Sequence, residues 1–307
     1  MLKFLKPLKN NFLDFLIIFL ILILNLFWLP TFSFWSIYSK NTFLTKNNQI
    51  LDYQRPNVPV VKLSQKPNVS SQNYIIVDVD TNTVLTSQNP DGKIFPASTT
   101  KLATALTALN IYPLDEVITV NQEYTEGKVM ELKLGEKITI KSLVSALLVY
   151  SANDSAFTLA NHHQLGSDGF IKQMNLLVQK YGLKNTNFVN FDGLQNENHY
   201  STVYDLSQLG RLAIKNSIIK ETVKTKNITV TDVDGQIKHE LVSTNELLDV
   251  VPEIEGLKTG WTPEAKGCFI GLVNIGGHKL ISVVAQSDDR FQDTKVLIDW
   301  AKENITW

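Results

Sequence analysis

Strand-like sequence stands at both ends of the folding part of this chain with helical periodicity between, and that arrangement leaves few folds open. Tyr74-Ile-Ile-Val-Asp-Val79, a polar Asp80-Thr-Asn82 and Thr83-Val-Leu-Thr86 read as a β-hairpin. Far downstream, residues 268–275 and 279–285 are apolar or alternating runs around Gly276-Gly277, the pattern of a second hairpin. After Thr99, Leu102, Ala105, Leu106 and Leu109 recur at helical spacing; an apolar helix is expected over 142–149 and amphipathic ones over 155–163, 168–181 and 205–215. A last helix is expected over 289–304, with Val296, Leu297 and Trp300 on one face. Strands at the two ends around a helical middle predict an α+β domain: one antiparallel sheet in which the N- and C-terminal strands meet.

Residues 1–39 do not fit that domain. Lys3, Lys6 and Lys9 precede an apolar stretch over 15–29 in which Asn25 is the one polar residue, the pattern of an export signal. A stretch of this length serves as a cleaved signal or as a retained anchor. No alanine precedes Ala97 to make a small-residue cleavage site, and Trp28, Trp35 and Tyr38 suit a membrane interface. Retention is therefore the expectation, with the lysines inside and the rest outside the cytoplasmic membrane; cleavage would leave a secreted protein. Residues 40–72, rich in Asn, Gln, Ser, Lys and Pro, read as a flexible linker, and 73–307 as the folded domain.

Composition removes several classes of function. With 29 Lys+Arg against 30 Asp+Glu the chain lacks the field needed to grip a phosphate backbone, so no nucleic-acid partner is expected. The one cysteine, Cys268, makes neither an intrachain disulfide nor a Cys-rich zinc site, and on an apolar strand it reads as a buried small hydrophobe. His162-His163 reads as a surface pair rather than a metal site. No metal and no cofactor is expected.

Three short motifs carry the chemistry. Ser98-Thr-Thr-Lys101 opens a helix, which puts hydroxyl and amine on one face and the serine among helix-end N–H groups that favour an oxyanion. A lysine made neutral by burial and by a second cation can take the serine proton. Standing alone, the motif is equally a helix cap followed by a solvated lysine. Ser151-Ala-Asn153 places a hydroxyl and a carboxamide two residues apart, able to relay a proton and hold a substrate amide, or else forms an ordinary loop before a helix. In Lys258-Thr-Gly260, lysine supplies the second positive charge, Thr259 can bond a carboxylate and Gly260 lets a ligand lie against a strand.

Together and in this order, S-x-x-K, S-x-N and K-T-G are the set found in penicillin-binding proteins and class A β-lactamases. The chain resembles the serine-type D-alanyl-D-alanine carboxypeptidases among the low-molecular-mass penicillin-binding proteins. The likeness runs from about Tyr74 to Trp300 and includes Pro96-Ala-Ser-Thr-Thr-Lys101, Leu134-Gly-Glu136, Tyr150-Ser-Ala-Asn-Asp154, His199-Tyr-Ser-Thr202 with Asp205-Leu206, and Gly256-Leu-Lys-Thr-Gly260. Asn190-Phe-Asp-Gly-Leu194 departs from the family's Asn-Pro-His-Gly-Leu at Phe191 and Asp192, neither a motif residue. Many relatives carry a β-rich C-terminal domain and a C-terminal amphipathic anchor; with neither read here, the N-terminal segment is the anchor candidate.

The resemblance implies a penicillin-binding-protein-like α+β domain acting on peptidoglycan stem peptides that end in D-Ala-D-Ala, with β-lactam antibiotics as covalent inhibitors. Lys101 would deprotonate Ser98, and the N–H groups of Ser98 and Trp261 would hold the oxyanion. Ser151 with Lys258 would pass a proton to the leaving D-Ala, Asn153 would orient the peptide, and Thr259 and Gly260 would receive its end. Alternatives are a β-lactamase, a DD-endopeptidase of the same fold and a catalytically silent wall-binding module. Against the β-lactamase stands the lack of an E-x-x-x-N stretch at 180–200, although Glu197 lies there; against the silent module stand the intact Ser98, Lys101, Ser151 and Lys258.

Overall fold

The structure, a computed structural model, describes residues 58–62 and 65–307. The apolar stretch at 15–29 and the first part of the expected linker lie outside the described residues. In chain order, β1 (Val60–Val61), β2 (Asn73–Asp78) and β3 (Val84–Gln88) precede a 3₁₀ turn (Ala97–Thr100) that runs into α1 (Lys101–Ile111). Next come β4 (Val117–Thr119), β5 (Lys137–Thr139) and five helices: α2 (Ile140–Val149), α3 (Asn153–Asn161), α4 (Gly166–Lys180), α5 (Val203–Ala213) and α6 (Ser217–Thr222). A ribbon of β6 (Asn227–Thr231) and β7 (Lys238–Val242) leads to β8 (Ile254–Thr262), β9 (Lys266–Ile275) and β10 (His278–Ser287), then α7 (Arg290–Asn304) and β11 (Ile305–Thr306).

The expected sheet is present. Five strands pair in the order β3-β2-β10-β9-β8, every pairing antiparallel, so the first long strand meets the last. All six residues of β2 are buried, because both faces of this strand are covered. Ile75 and Val77 face one way, opposite Val283 and Ile281, into the core made by the helical middle. Tyr74 and Ile76 face the other way, onto Leu297, Ile298 and Ala301 of α7. The period of two in the sequence thus sorts one strand between two cores. Its hairpin turns where Asp78 Oδ1 accepts from Thr81 N (2.8 Å) and Thr81 Oγ1 (2.6 Å), and Asn82 takes φ 60°.

Side-chain caps start the helices. Thr139 Oγ1 accepts from Ser142 N at α2, Thr202 Oγ1 from Asp205 N at α5, and Asp289 from Phe291 N and Gln292 N at α7. Helix α2 is buried on nearly every side, which is why its sequence is apolar all round.

Two expectations need correction. The inner face of α7 is Asp293, Thr294, Leu297, Ile298 and Ala301; Val296 and Trp300 are only partly buried beside it. The unpacked linker also does not reach residue 72. Strand β1 pairs antiparallel with β11, and Asp293 accepts from Ser70 N (2.8 Å), Ser70 Oγ (2.7 Å) and Ser71 N (2.8 Å). Polar composition suggested a spacer, yet these polar groups are spent on a buried carboxylate.

Candidate active site

Ser98 sits in the 3₁₀ turn and Lys101 is the first residue of α1, so the two side chains meet across one turn. Lys101 Nζ lies 2.9 Å from Ser98 Oγ and donates to Asp192 O at 2.7 Å. Lys101 is wholly buried, and desolvation brings its amine down to about 8 against the opposing pull of Asp192. The preceding residue, Ala97, holds φ 47°, a left-handed conformation kept only where the surroundings enforce it.

Ser151 follows the end of α2 at φ 70°, a position where glycine is usual. Having a side chain there lets its Oγ meet Lys258 Nζ at 3.0 Å, and the same amine donates to Thr259 O at 3.0 Å. Lys258 is buried on β8 and its amine is held well below the ordinary value by desolvation, then by Lys101, Lys128 and Arg290. Each serine of the site therefore faces one buried lysine.

Strand β8 is the edge of the sheet, and it approaches the 3₁₀ turn because Gly260 has no side chain. A Cβ there would lie 3.0 Å from Ser98 N and 3.1 Å from Pro96 O. Thr259 Oγ1 lies 2.6 Å from Thr244 Oγ1, and Thr244 N donates to Val149 O, which ties β8 to the end of α2. Trp261 is 59% exposed just beyond. Asn153 opens α3, donating Nδ2 to Glu126 O (2.8 Å) and N to Lys128 O (2.7 Å); these bonds and the two from Met130 N and Leu132 N to Asp154 hold a loop beside the site.

The seven residues singled out from the three motifs, and Trp261 directly after K-T-G, thus gather where β8 meets the 3₁₀ turn and the end of α2. Sequence reasoning set Asp192 aside, yet its carbonyl holds Lys101 and its buried carboxylate accepts from Tyr124 Oη (2.6 Å) and Leu194 N (3.1 Å). It also passed over Thr244 and Arg290, whose Nε is buried without a partner. His199 lies one contact away: Nδ1 accepts from Val189 N, so Nε2–H faces Thr100 Oγ1 at 2.8 Å, and burial and Lys101 press its pKa down to about 4. Glu197 is exposed. Cys268 is buried and its thiol is pushed up to about 12, and His162 pairs with Glu116 at 2.7 Å. Among the described residues no group of three His, Cys, Asp or Glu could hold a metal ion.

An antiparallel five-stranded sheet with a helical middle, and two serine–lysine pairs at their junction, define a domain of the penicillin-binding-protein type. The family model for D-alanyl-D-alanine carboxypeptidases matches residues 60–289, and the chain belongs to that family. It is 32% identical over 240 residues to the D-alanyl-D-alanine carboxypeptidase of Streptomyces sp. (strain K15), covering 72% of this chain and 82% of that one. It is 31% identical over 222 residues to DacF, a D-alanyl-D-alanine carboxypeptidase of Bacillus subtilis (strain 168), covering 70% of this chain but only 57% of that relative. The solved Streptomyces K15 DD-transpeptidase superposes with a TM-score of 0.73 at 30% identity, over 77% of this chain and 98% of its own. An evolved penicillin-binding protein homologue from Mycobacterium tuberculosis gives 0.73 at 27% identity, over 78% and 93%.

Proposed function

We propose that this protein is a serine D-alanyl-D-alanine carboxypeptidase that removes the terminal D-Ala from peptidoglycan stem peptides through an acyl-enzyme on Ser98. The observation that carries the reading is the pair of fully buried lysines, one on each serine: Lys101 at 2.9 Å from Ser98 Oγ and Lys258 at 3.0 Å from Ser151 Oγ. Burial makes a neutral amine accessible near neutral pH, which a solvated lysine is not.

Lys101 takes the Ser98 proton as Oγ attacks the penultimate D-Ala carbonyl. The backbone N–H groups of Ser98 and Trp261 hold the oxyanion. As the tetrahedral intermediate collapses, the C–N bond breaks, and Ser151, backed by Lys258, delivers a proton to the nitrogen of the departing D-Ala. Asn153 orients the peptide, and Thr259 binds its terminal carboxylate, with the Arg290 guanidinium as the positive charge that acts on this part of β8. Gly260 leaves room for the substrate along β8. Water then adds to the acyl carbonyl, giving its proton to the Ser151–Lys258 pair that had lost one, and the Ser98 oxygen leaves with the proton that Lys101 had taken. The chain reaches its substrate as an exported protein, held at the outer face of the cytoplasmic membrane by its N-terminal segment.

Labelled penicillin supplied to the full-length protein is expected to attach to Ser98 and to be lost in Ser98→Ala; normal labelling of that variant would remove Ser98 as nucleophile. D-Ala released from a D-Ala-D-Ala peptide then separates the alternatives. A silent wall-binding module releases none, a β-lactamase turns over penicillin instead, and an endopeptidase cuts cross-linked dimers.

A further inference from the structure

The five residues Asn190–Leu194 form a tight turn laid against α1. Asn190 staples it, Oδ1 accepting from Gly193 N at 2.8 Å and Nδ2 donating to Leu194 O at 2.8 Å. Two successive carbonyls of the turn bind side chains one helical turn apart, Phe191 O accepting from Thr104 Oγ1 (2.6 Å) and Asp192 O from Lys101 Nζ (2.7 Å). Gly193, at φ +90°, lets this turn touch the nucleophile's peptide, since a Cβ there would lie 1.9 Å from Ala97 O. The Asp192 carboxylate, 2% exposed, is thereby buried on the residue whose carbonyl holds Lys101, near enough for its charge to act on that amine. Tyr124, which donates to it at 2.6 Å, is itself locked by stacking on Phe157 and edge contact with Phe191.

We propose that Asp192, clamped by Tyr124, is a positioning residue for the Ser98–Lys101 pair: its carbonyl aims the amine and its carboxylate is the counter-charge that governs when that amine is free to act. The proposal rests on the acyl-serine reading above. Both carboxylate oxygens accept hydrogen bonds, the pattern of an ionised group, which can only accept. A buried negative charge beside an amine favours the ammonium form, opposing the desolvation that favours the neutral one. The other titratable groups acting here are Lys258 from β8, with Lys128 and Arg290 acting on it, Glu126 acting on Tyr124, and His199 behind Thr100, kept uncharged above pH 4 by burial and by Lys101. Tyr124 stays a donor throughout, because burial and the Asp192 charge push its phenol far up.

The test is the pH dependence of acylation by a fluorescent penicillin, with full-length wild type, Asp192→Asn and Tyr124→Phe, each checked for folding by its melting curve. Asp192→Asn keeps shape and removes charge, so Lys101 should release its proton more easily and the acid limb should move to lower pH by about one unit or more. Tyr124→Phe frees the carboxylate to turn onto the ammonium, so its limb should move to higher pH. A residue that only holds the turn would lower the rate by the same factor at every pH. An unmoved limb in either folded variant overturns the proposal, and if Asp192→Asn does not fold, Tyr124→Phe decides. Absence of acylation in wild type would fell the acyl-serine reading and this inference with it; acylation with an unmoved limb fells this inference alone.

Discussion

Lys101 illustrates what a buried base costs and what it supplies. With its amine at about 8 in the fold and 10.5 when solvated, the unfolded chain holds the proton more tightly than the native one. Native stability is therefore lowered below pH 8 and recovers as pH rises from 8 to 10.5, a difference of about 3 kcal/mol. Wild type should gain roughly that much relative to Lys101→Met across the window, as read from chemical denaturation at fixed pH; a constant gap would mean that the amine is not perturbed. The same shift places the acid limb of wild-type acylation near pH 8, since only the neutral amine accepts the serine proton. Lys101→Ala should abolish acylation, whereas Lys258→Arg keeps the charge, loses the compact geometry and retains partial activity. Equal and mild effects from both would contradict the separate roles given to them. The motif residues could be found in the sequence because their types recur at fixed spacing. Asp192 could not, because it meets Lys101 through a backbone carbonyl that any residue possesses.

At the level of elements, the close approach of β8 to the 3₁₀ turn is the contact that brings K-T-G to the nucleophile. A methyl on Gly260 must displace Ser98 N or Pro96 O by a few tenths of an ångström. Gly260→Ala should therefore cut acylation by about tenfold or more while the protein stays folded, and an unchanged rate would show that the strand has slack. The strands of the two hairpins and the long helices were legible from periodicity because their buried residues are mostly apolar; β8, nine residues long, was not read from periodicity and entered only through its K-T-G motif. Strands β4 to β7, of three to five residues, and the two-residue β1 and β11 are too short for a period to register. The inner face of α7 was misjudged for a different reason: two of its buried residues, Asp293 and Thr294, are polar. Asp293 gathers Ser70, Ser71 and Ser287, and Asp293→Ala should cost about 3 kcal/mol by stranding those donors. A loss within a few tenths of a kcal/mol would mean that the segment before β2 adds nothing to the domain.

Across the whole molecule, the order of the motifs in the sequence bears no relation to their distance in space, since the edge strand β8, the start of α1 and the end of α2 come from three separate parts of the chain. Convergence could be expected from the chemistry they share, but not from periodicity. The N-terminus poses the reverse case, where the sequence speaks and the described residues do not: no helix among them is long and apolar enough to cross a membrane, and residues 15–29 lie outside them. Lysines at 3, 6 and 9, an apolar stretch and aromatic residues after it favour a retained segment, and no alanine before Ala97 supplies a cleavage site. The packed domain begins by β1, so the tether left between residues 40 and 57 reaches at most about 60 Å even fully extended. If the N-terminal segment is retained as proposed, such a tether would restrict the enzyme to wall lying close to its membrane. Protein isolated from membranes should keep its lysine-bearing N-terminus and require detergent, and a chain begun at Val58 should be soluble and take up penicillin. One begun at Asn73 loses β1 and the serines that bind Asp293, and should be markedly less stable. Intact-mass analysis decides the anchor: a mature chain starting between Ser33 and Lys40 would mean cleavage, and a secreted enzyme no longer bound by that reach.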